Sequence, residues 1–286
     1  MLDILVASLA DGLLLGFVYG IAAMGLSLIW GVMNVINLSH GPMIALGMFG
    51  VYLAFTGLGL NPYLALPLIA LAGLLLGILI YAVAVHRVLN APHLSTLLAT
   101  FSVNMIMIGI GTAVFTASPR NVDFSLGSLS LGSVTLPWTR IMAALASILV
   151  ASLLYLFLYR TRPGKAIRAV ANNRAAAELM GVPATRVLAL SFGLGTMLAA
   201  VSGGLIATFF PFTILAGTSY ELKSFVIVVL GGLGNPLGAL IGGLLLGTLE
   251  GVIPAFMETS WVPVLEFILF IIILLVKPSG LLGSKT

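Results

Sequence analysis

The stretch from Arg160 to Val187 is the only long polar interlude in a chain otherwise made of apolar runs. It holds six of the twelve basic residues (Arg160, Arg162, Lys165, Arg168, Arg174 and Arg186) against a single acid, Glu178. On both sides lie runs of the length that crosses a bilayer, for which about 20 apolar residues suffice. Basic segments stay on the cytoplasmic face during membrane insertion, so this one stretch orients everything around it. The chain is 60% hydrophobic and only 7% charged, where a soluble domain carries about a quarter charged residues. Alternating strands of about ten residues, the mark of a membrane β-barrel, are absent. The expected fold is therefore all-α, a polytopic transmembrane bundle of eight or nine segments forming one domain over residues 1–286.

Composition excludes several functions. Without cysteine the chain has no disulfide, thiolate metal site or cysteine nucleophile. The net charge of +4 reflects loops held inside, and no basic patch interleaves with aromatics, so nucleic acid is not an expected partner. MLDILVASLADG has no basic start and no Ala-x-Ala site, so no cleavable signal is expected. Asp3 and Asp11 precede the first basic residue, Arg87, which predicts an external N-terminus; Lys277 and Lys285 predict a cytoplasmic C-terminus.

In chain order the spans are expected at Leu13–Trp30, Tyr63–Val85, Leu94–Phe115, Ile141–Tyr159, Leu188–Phe210 and Trp261–Val276, with a short second run at Met43–Phe55. The fourth carries Ser95, Thr96, Thr100, Ser102, Asn104 and Thr112, which predicts a helix facing the bundle interior or a wet cavity. Residues 116–140 form a polar external loop. Phe225–Leu230 is too short to span and runs at once into Gly231–Pro236, after which Leu237–Val252 resumes as helix. Gly12, Gly16 and Gly20, and again Gly243, Gly247 and Gly251, repeat at four-residue spacing, a stripe that lets helices approach closely.

Two breaks flank the basic segment. His40-Gly41-Pro42 and Gly234-Asn235-Pro236 each interrupt apolar sequence and open a glycine-rich helix. Paired breaks of this kind point to broken helices and a transport site between inverted repeats. Asn34, Asn37, Ser39, His40 and Gly41 are the candidate substrate-pathway residues: their amides, hydroxyl and backbone N–H groups suit an ammonium or carboxylate in passage. Asn37 and Ser39 are equally suited to capping the break, and His40 to a buried structural role. Glu250 and Glu266 lie inside apolar runs, where a lone charge costs about 2.5–3.5 kcal/mol, so each is expected to pair or sit near a helix end.

The basic segment has helix grammar of its own. Asn172 or Asn173 can cap a helix from Arg174 to Met180, and Gly181 with Pro183 stops it. Four segments now carry a resemblance: GLSLIWGVMNVINLSHGPMIALGMF, GKAIRAVANNRAAAELMGVPATRVLALSFGLGTMLAAVSGGL, VVLGGLGNPLGALIGGLLLGTLEGV and the terminal KPSGLLG. In this order, over nearly the whole chain, they resemble the permease subunit of ATP-binding-cassette importers of the branched-chain amino acid type, the shorter, LivH-like kind. The resemblance implies a bacterial inner-membrane protein. It implies cytoplasmic ATP-binding subunits, a second related permease and an extracytoplasmic solute-binding protein as partners, and a small-molecule cargo. It implies no cofactor in this chain, since ATP is used by the partners, and no enzymatic site. By the same resemblance, Asn173, Arg174, Ala177, Glu178, Gly181 and Pro183 belong to the segment that docks on the ATPase. Arg174-Ala175-Ala176-Ala177-Glu178 stands where many importers have Glu-Ala-Ala.

Two other classes compete. An ion-coupled secondary transporter also uses broken helices and would place its cation at Glu250 or Glu266, but it needs no docking segment. An intramembrane hydrolase fits poorly, because adjacent Ser39 and His40 point apart and have no nearby acid in sequence. The terminal Gly280–Thr286 echoes a phosphate-binding loop only superficially, its spacing being wrong and no strand preceding it.

Overall fold

The structure, a computed structural model, describes residues 2–131 and 134–283; Lys285, invoked above for the C-terminus, lies outside them. Eleven α-helices follow in order: α1 (Leu2–Met33), α2 (His40–Leu58), α3 (Pro62–Ile80), α4 (His93–Phe115), α5 (Trp138–Arg160), α6 (Arg162–Asn172), α7 (Arg174–Leu179), α8 (Ala184–Ile206), α9 (Ala216–Gly231), α10 (Pro236–Val252) and α11 (Val262–Val276). A two-stranded antiparallel hairpin, β1 (Ser128–Leu131) with β2 (Val134–Pro137), sits in the loop before α5. Among the described residues, eight helical stretches are long and apolar enough to cross a membrane. The ninth, α9, has 16 residues and falls short of a full crossing. One wide π turn, Tyr81–Val85, and a 3₁₀ turn carry α3 on to Val88.

In hydrocarbon the helices gain nothing by hiding apolar side chains from one another, so association rests on close contact. The glycine stripes supply it. Gly12, Gly16 and Gly20 of α1 lie against Gly243, Gly247 and Gly251 of α10, so near that a Cβ on Gly16 would stand 2.7 Å from the Leu244 Cα and 2.8 Å from the Gly243 oxygen. Gly73 and Gly77 of α3 meet α8 in the same manner; a Cβ on Gly77 would lie 2.9 Å from the Gly193 Cα. At the centre α1 and α8 cross, where Ser202 Oγ donates to the Val18 carbonyl at 2.9 Å.

These two glycine contacts are related. α1 packs on α10 as α8 packs on α3, and α2 meets α9 where the Gly41 and Gly217 backbones touch, so α1–α4 and α8–α11 correspond in their contacts. The turns preceding α3 and α10 match as well. Asn61 caps α3 by accepting from Tyr63 N at 2.9 Å, and Asn235 caps α10 by accepting from Gly238 N at 3.1 Å, each with proline in the first helical turn. This corrects the pairing of breaks expected above. The counterpart of Gly234-Asn235-Pro236 is the turn at Gly59–Pro62, and the counterpart of the break before α2 is the unwound 207–215 before α9. Both true breaks replace helical hydrogen bonds with outside partners, which is the condition for irregular backbone at membrane depth. In the second, Phe212 exchanges backbone hydrogen bonds with Arg120 at 2.8 and 2.9 Å.

Two further expectations change. α4 is mostly exposed on this chain, with only Thr96, Thr100 and Gly111 buried. Thr96 donates to His93 O and Ser102 to Leu98 O within the helix, while buried Thr100 donates both to Leu97 O and to Ile36 O of the break. The basic segment holds two helices, not one. In α6, Thr161 caps by accepting from Gly164 N at 3.1 Å, and Gly164, Ile167 and Val170 face inward. At the other end of the chain, Leu281 N and Leu282 N donate to Leu230 O and Gly231 O at 2.8 and 3.0 Å, closing the end of α9.

Gly16→Val should therefore separate α1 from α10 and destabilise by about 2 kcal/mol, the usual range for overpacking. Gly57→Ala, which meets open space, should leave the apparent melting temperature of the purified protein unchanged. Equal melting of the two variants would refute the glycine contact as the organising interface.

Candidate functional site

The expected pathway residues divide into two places. Asn34 ends α1, its N–H donating to Trp30 O at 2.8 Å with φ +52°, a left-handed conformation that asparagine tolerates. Its side chain lines a cavity of about 290 Å³ together with Val170, Asn172, Asn173, Arg174 and Leu188. Asn34 is thus a neighbour of the basic segment rather than of the break's buried part. Asn37, Ser39 and His40 are buried completely, with no exposed surface. Asn37 Oδ1 accepts from Ser39 N at 3.1 Å and from Ser39 Oγ at 2.6 Å, so these two residues close the turn on each other. His40 Nε2 lies 3.0 Å from the Ala22 carbonyl; a carbonyl only accepts, so Nε2 carries the proton. His40 Nδ1 and Asn37 Nδ2 are left without partners among the described residues.

Facing this turn is an acid that sequence reasoning passed over. Glu221, on α9, is only 5% exposed. A Cβ on Gly41 would stand 2.6 Å from Glu221 Oε2 and 2.7 Å from the Gly217 carbonyl, so glycine at position 41 is what admits the second repeat. Glu221 Oε1 has no partner among the described residues. The helix containing it was expected to begin near Phe225; it begins at Ala216, and the extra turns bring the carboxylate to the start of α2. Three unsatisfied polar atoms therefore surround one helix N-terminus at the junction of the repeats, a concentration that native interiors rarely carry.

Glu250 and Glu266 are placed differently. Lys223 Nζ pairs with Glu250 and stands 3.7 Å from Glu266 Oε1, and Tyr19 Oη donates to Glu250 at 3.2 Å. Glu250 sits two residues from the end of α10, as expected of a helix-end acid; Glu266 sits in the second turn of α11. Beside them Asp11 pairs with Arg140, whose guanidinium also rests on Phe209 and Phe210. Neither Lys223 nor Arg140 had been assigned a role from sequence.

At the basic end, Asn173, not Asn172, caps α7 by accepting from Ala176 N at 3.0 Å. Arg174 and Glu178 form an ion pair along the same helix at 3.0 Å. Gly181, at φ +81°, ends the helix: its N–H donates to Glu178 O and that of Val182 to Ala177 O, at 2.9 and 3.0 Å. Ala177 is buried and Pro183 precedes α8. What projects is the tip: Leu179 and Met180 are 89% and 84% exposed. No apolar pair on a polar loop was singled out from sequence, although Leu-Met directly before a helix-stopping glycine was the signal.

With this geometry in place, comparison with known proteins becomes specific. The family described as branched-chain amino acid transport system / permease component matches residues 8–274. The high-affinity branched-chain amino acid transport system permease protein LivH of Salmonella typhimurium is 30% identical, the match covering 96% of this chain and 94% of that one. The corresponding protein BraD of Pseudomonas aeruginosa is also 30% identical over the same shares. The ribose import permease protein RbsC of Escherichia coli is 30% identical over 82% of this chain and 73% of its own. The family match spans the breaks, the basic segment and both glycine stripes. This multi-pass membrane chain belongs to the branched-chain amino acid transport system permease component family.

Proposed function

We propose that the chain is the membrane-crossing subunit of an ATP-driven importer for branched-chain or similar small amino acids, working by alternating access. The observation that carries the coupling half of this reading is α7. It is a two-turn helix capped at one end by Asn173, locked at the other by Gly181, and tipped by two apolar side chains left exposed among the described residues. Exposed leucine and methionine at such a point fit a groove on a separate cytoplasmic subunit that binds and hydrolyses ATP. A rigid element of this kind passes on a motion that a solvated loop would absorb. The ATPase shifts the conformational equilibrium only as far as it binds the two states of the permease differently.

The pathway half rests on the break before α2. Asn37 Nδ2, His40 Nδ1 and Glu221 Oε1 are buried and unpaired in this arrangement, a cost of about 1–3 kcal/mol each. A second state, in which the repeats part and these atoms meet water or a polar cargo, relieves that cost. Asn34, shared between the break and the cavity at Asn173 and Arg174, gives the coupling segment a short mechanical route to it. A second related permease subunit completes the pathway, and an external solute-binding protein delivers the cargo. The orientation is N-terminus outside and basic segment in the cytoplasm, in a bacterial plasma membrane.

The ion-coupled alternative is weakened by Lys223. Both acids that would bind a cation, Glu250 and Glu266, already share an ammonium.

Leu179→Asp with Met180→Asp should leave the permease in the membrane, lose the ATPase subunit on purification and reduce uptake at least tenfold. Retained ATPase and unimpaired uptake would sink the docking role. Gly181→Val, strained at φ +81°, should uncouple ATP hydrolysis from uptake without loss of membrane insertion, measured as both rates in proteoliposomes. Ser39→Ala removes one buried hydrogen bond, worth about 1 kcal/mol, and should slow uptake severalfold with assembly intact. If only thermal stability moves, the turn is structural alone.

A further inference from the structure

At the end of the bundle away from the basic segment, charged side chains from four helices line a cavity. Asp11 comes from α1, Arg140 from α5, Lys223 from α9 and Glu250 from α10, while Glu266 of α11 stands behind Lys223. The void measures about 290 Å³ and is walled on its apolar side by Leu15 and Phe210. That is the lower edge of the usual range for small-molecule sites, about 300–1,000 Å³.

A purely structural cluster explains this poorly. Charges at membrane depth are expensive, and well-packed apolar residues stabilise as well as buried ion pairs do. Here the pairs do not close on each other. They stand around a space lined by two acids, Asp11 and Glu250, and two bases, Arg140 and Lys223, with Glu266 behind Lys223. Asp11 Oδ1 is a buried acceptor without a hydrogen-bond donor among the described residues. Among the described residues, the Arg140 guanidinium bonds only to Asp11, with one of its nitrogens. The cavity thus offers the Asp11 carboxylate beside a spare fork of donors on Arg140, next to an apolar wall.

We propose that this cavity is a binding site for a zwitterionic amino acid: its carboxylate on Arg140, its ammonium on Asp11, and its aliphatic side chain against Leu15 and Phe210. The site deepens the importer reading and rests on it, since it faces the side from which cargo arrives in that orientation. Tyr19, bonded to Glu250, also stands 5.9 Å ring to ring from Tyr220, the residue before Glu221. The site therefore adjoins the junction of the repeats.

The test uses the membrane complex, permease with its ATPase subunits and without binding protein, in nanodiscs. Saturation-transfer NMR is recorded with L-leucine, with 4-methylpentanoate, which lacks the ammonium, and with 3-methylbutylamine, which lacks the carboxylate. Leucine should bind at least tenfold more tightly than either single-charge analogue. Arg140→Gln should weaken leucine about tenfold, the loss of one charge-assisted bond, and leave 3-methylbutylamine unchanged, which a general loss of structure would not do. Thr259→Trp, on the rim of the cavity, should abolish the leucine signal without altering the melting temperature; it keeps the test decisive if the arginine variant fails to fold. Equal leucine binding in wild type and Thr259→Trp, or equal binding of all three probes, overturns the site. ATP-driven leucine uptake surviving that result would leave the importer standing. Intact leucine binding with no ATP-driven uptake would do the reverse.

Discussion

Backbone-to-backbone contact through glycine is the interaction on which this bundle depends. Lipid tails are as apolar as leucine, so no hydrophobic force separates helix from lipid. What remains is dispersion, which falls off steeply with distance. Removing the side chains along α1 and α10, and along α3 and α8, brings these helices together far more closely than bulky residues allow. Because both interfaces close on glycines, one packing solution is used twice. The Ser202–Val18 hydrogen bond marks where the two copies cross.

Upon that frame the polar residues separate into groups. Near the basic end lie Asn34 and the α6–α7 junction; in the break and facing it lie Asn37, Ser39, His40 and Glu221; a separate cluster holds Tyr19, Lys223, Asp11, Glu250 and Glu266. Neighbouring groups touch at several points. Thr100 of α4 donates to Ile36 O at 3.0 Å, inside the break itself, and Glu221 abuts Gly41. The chain carries its charge as a thread through one protomer and keeps its outer surface apolar. A helix such as α4 can then face lipid or another subunit while Thr96, Thr100 and Ser102 remain satisfied by backbone carbonyls.

Much of this is legible in the residues, and the failures are instructive. Long apolar runs located eight spans, since length and hydropathy alone decide what crosses a bilayer. The glycine stripes at four-residue spacing foretold close packing, and the Asn173 and Gly181 caps came from local chemistry that needs no tertiary context. The break pairing was misassigned because Gly-Asn-Pro resembles His-Gly-Pro as a string, whereas inverted repeats are related by geometry; the matching signal was the Asn-Pro shared by Asn61-Pro62 and Asn235-Pro236. Glu221 was missed because its helix was started too late, at the first strongly apolar residue. α6 was missed because a helix that lies on a surface buries a narrow face, here Gly164, Ile167 and Val170, which a charge count hides.

The tail that caps α9 has a consequence for how such a chain is made. The carbonyls of Leu230 and Gly231 find their donors at Leu281 and Leu282, some fifty residues later in the chain. The end of α9 is therefore closed only by residues made after α10 and α11, and not by its immediate neighbours in the chain.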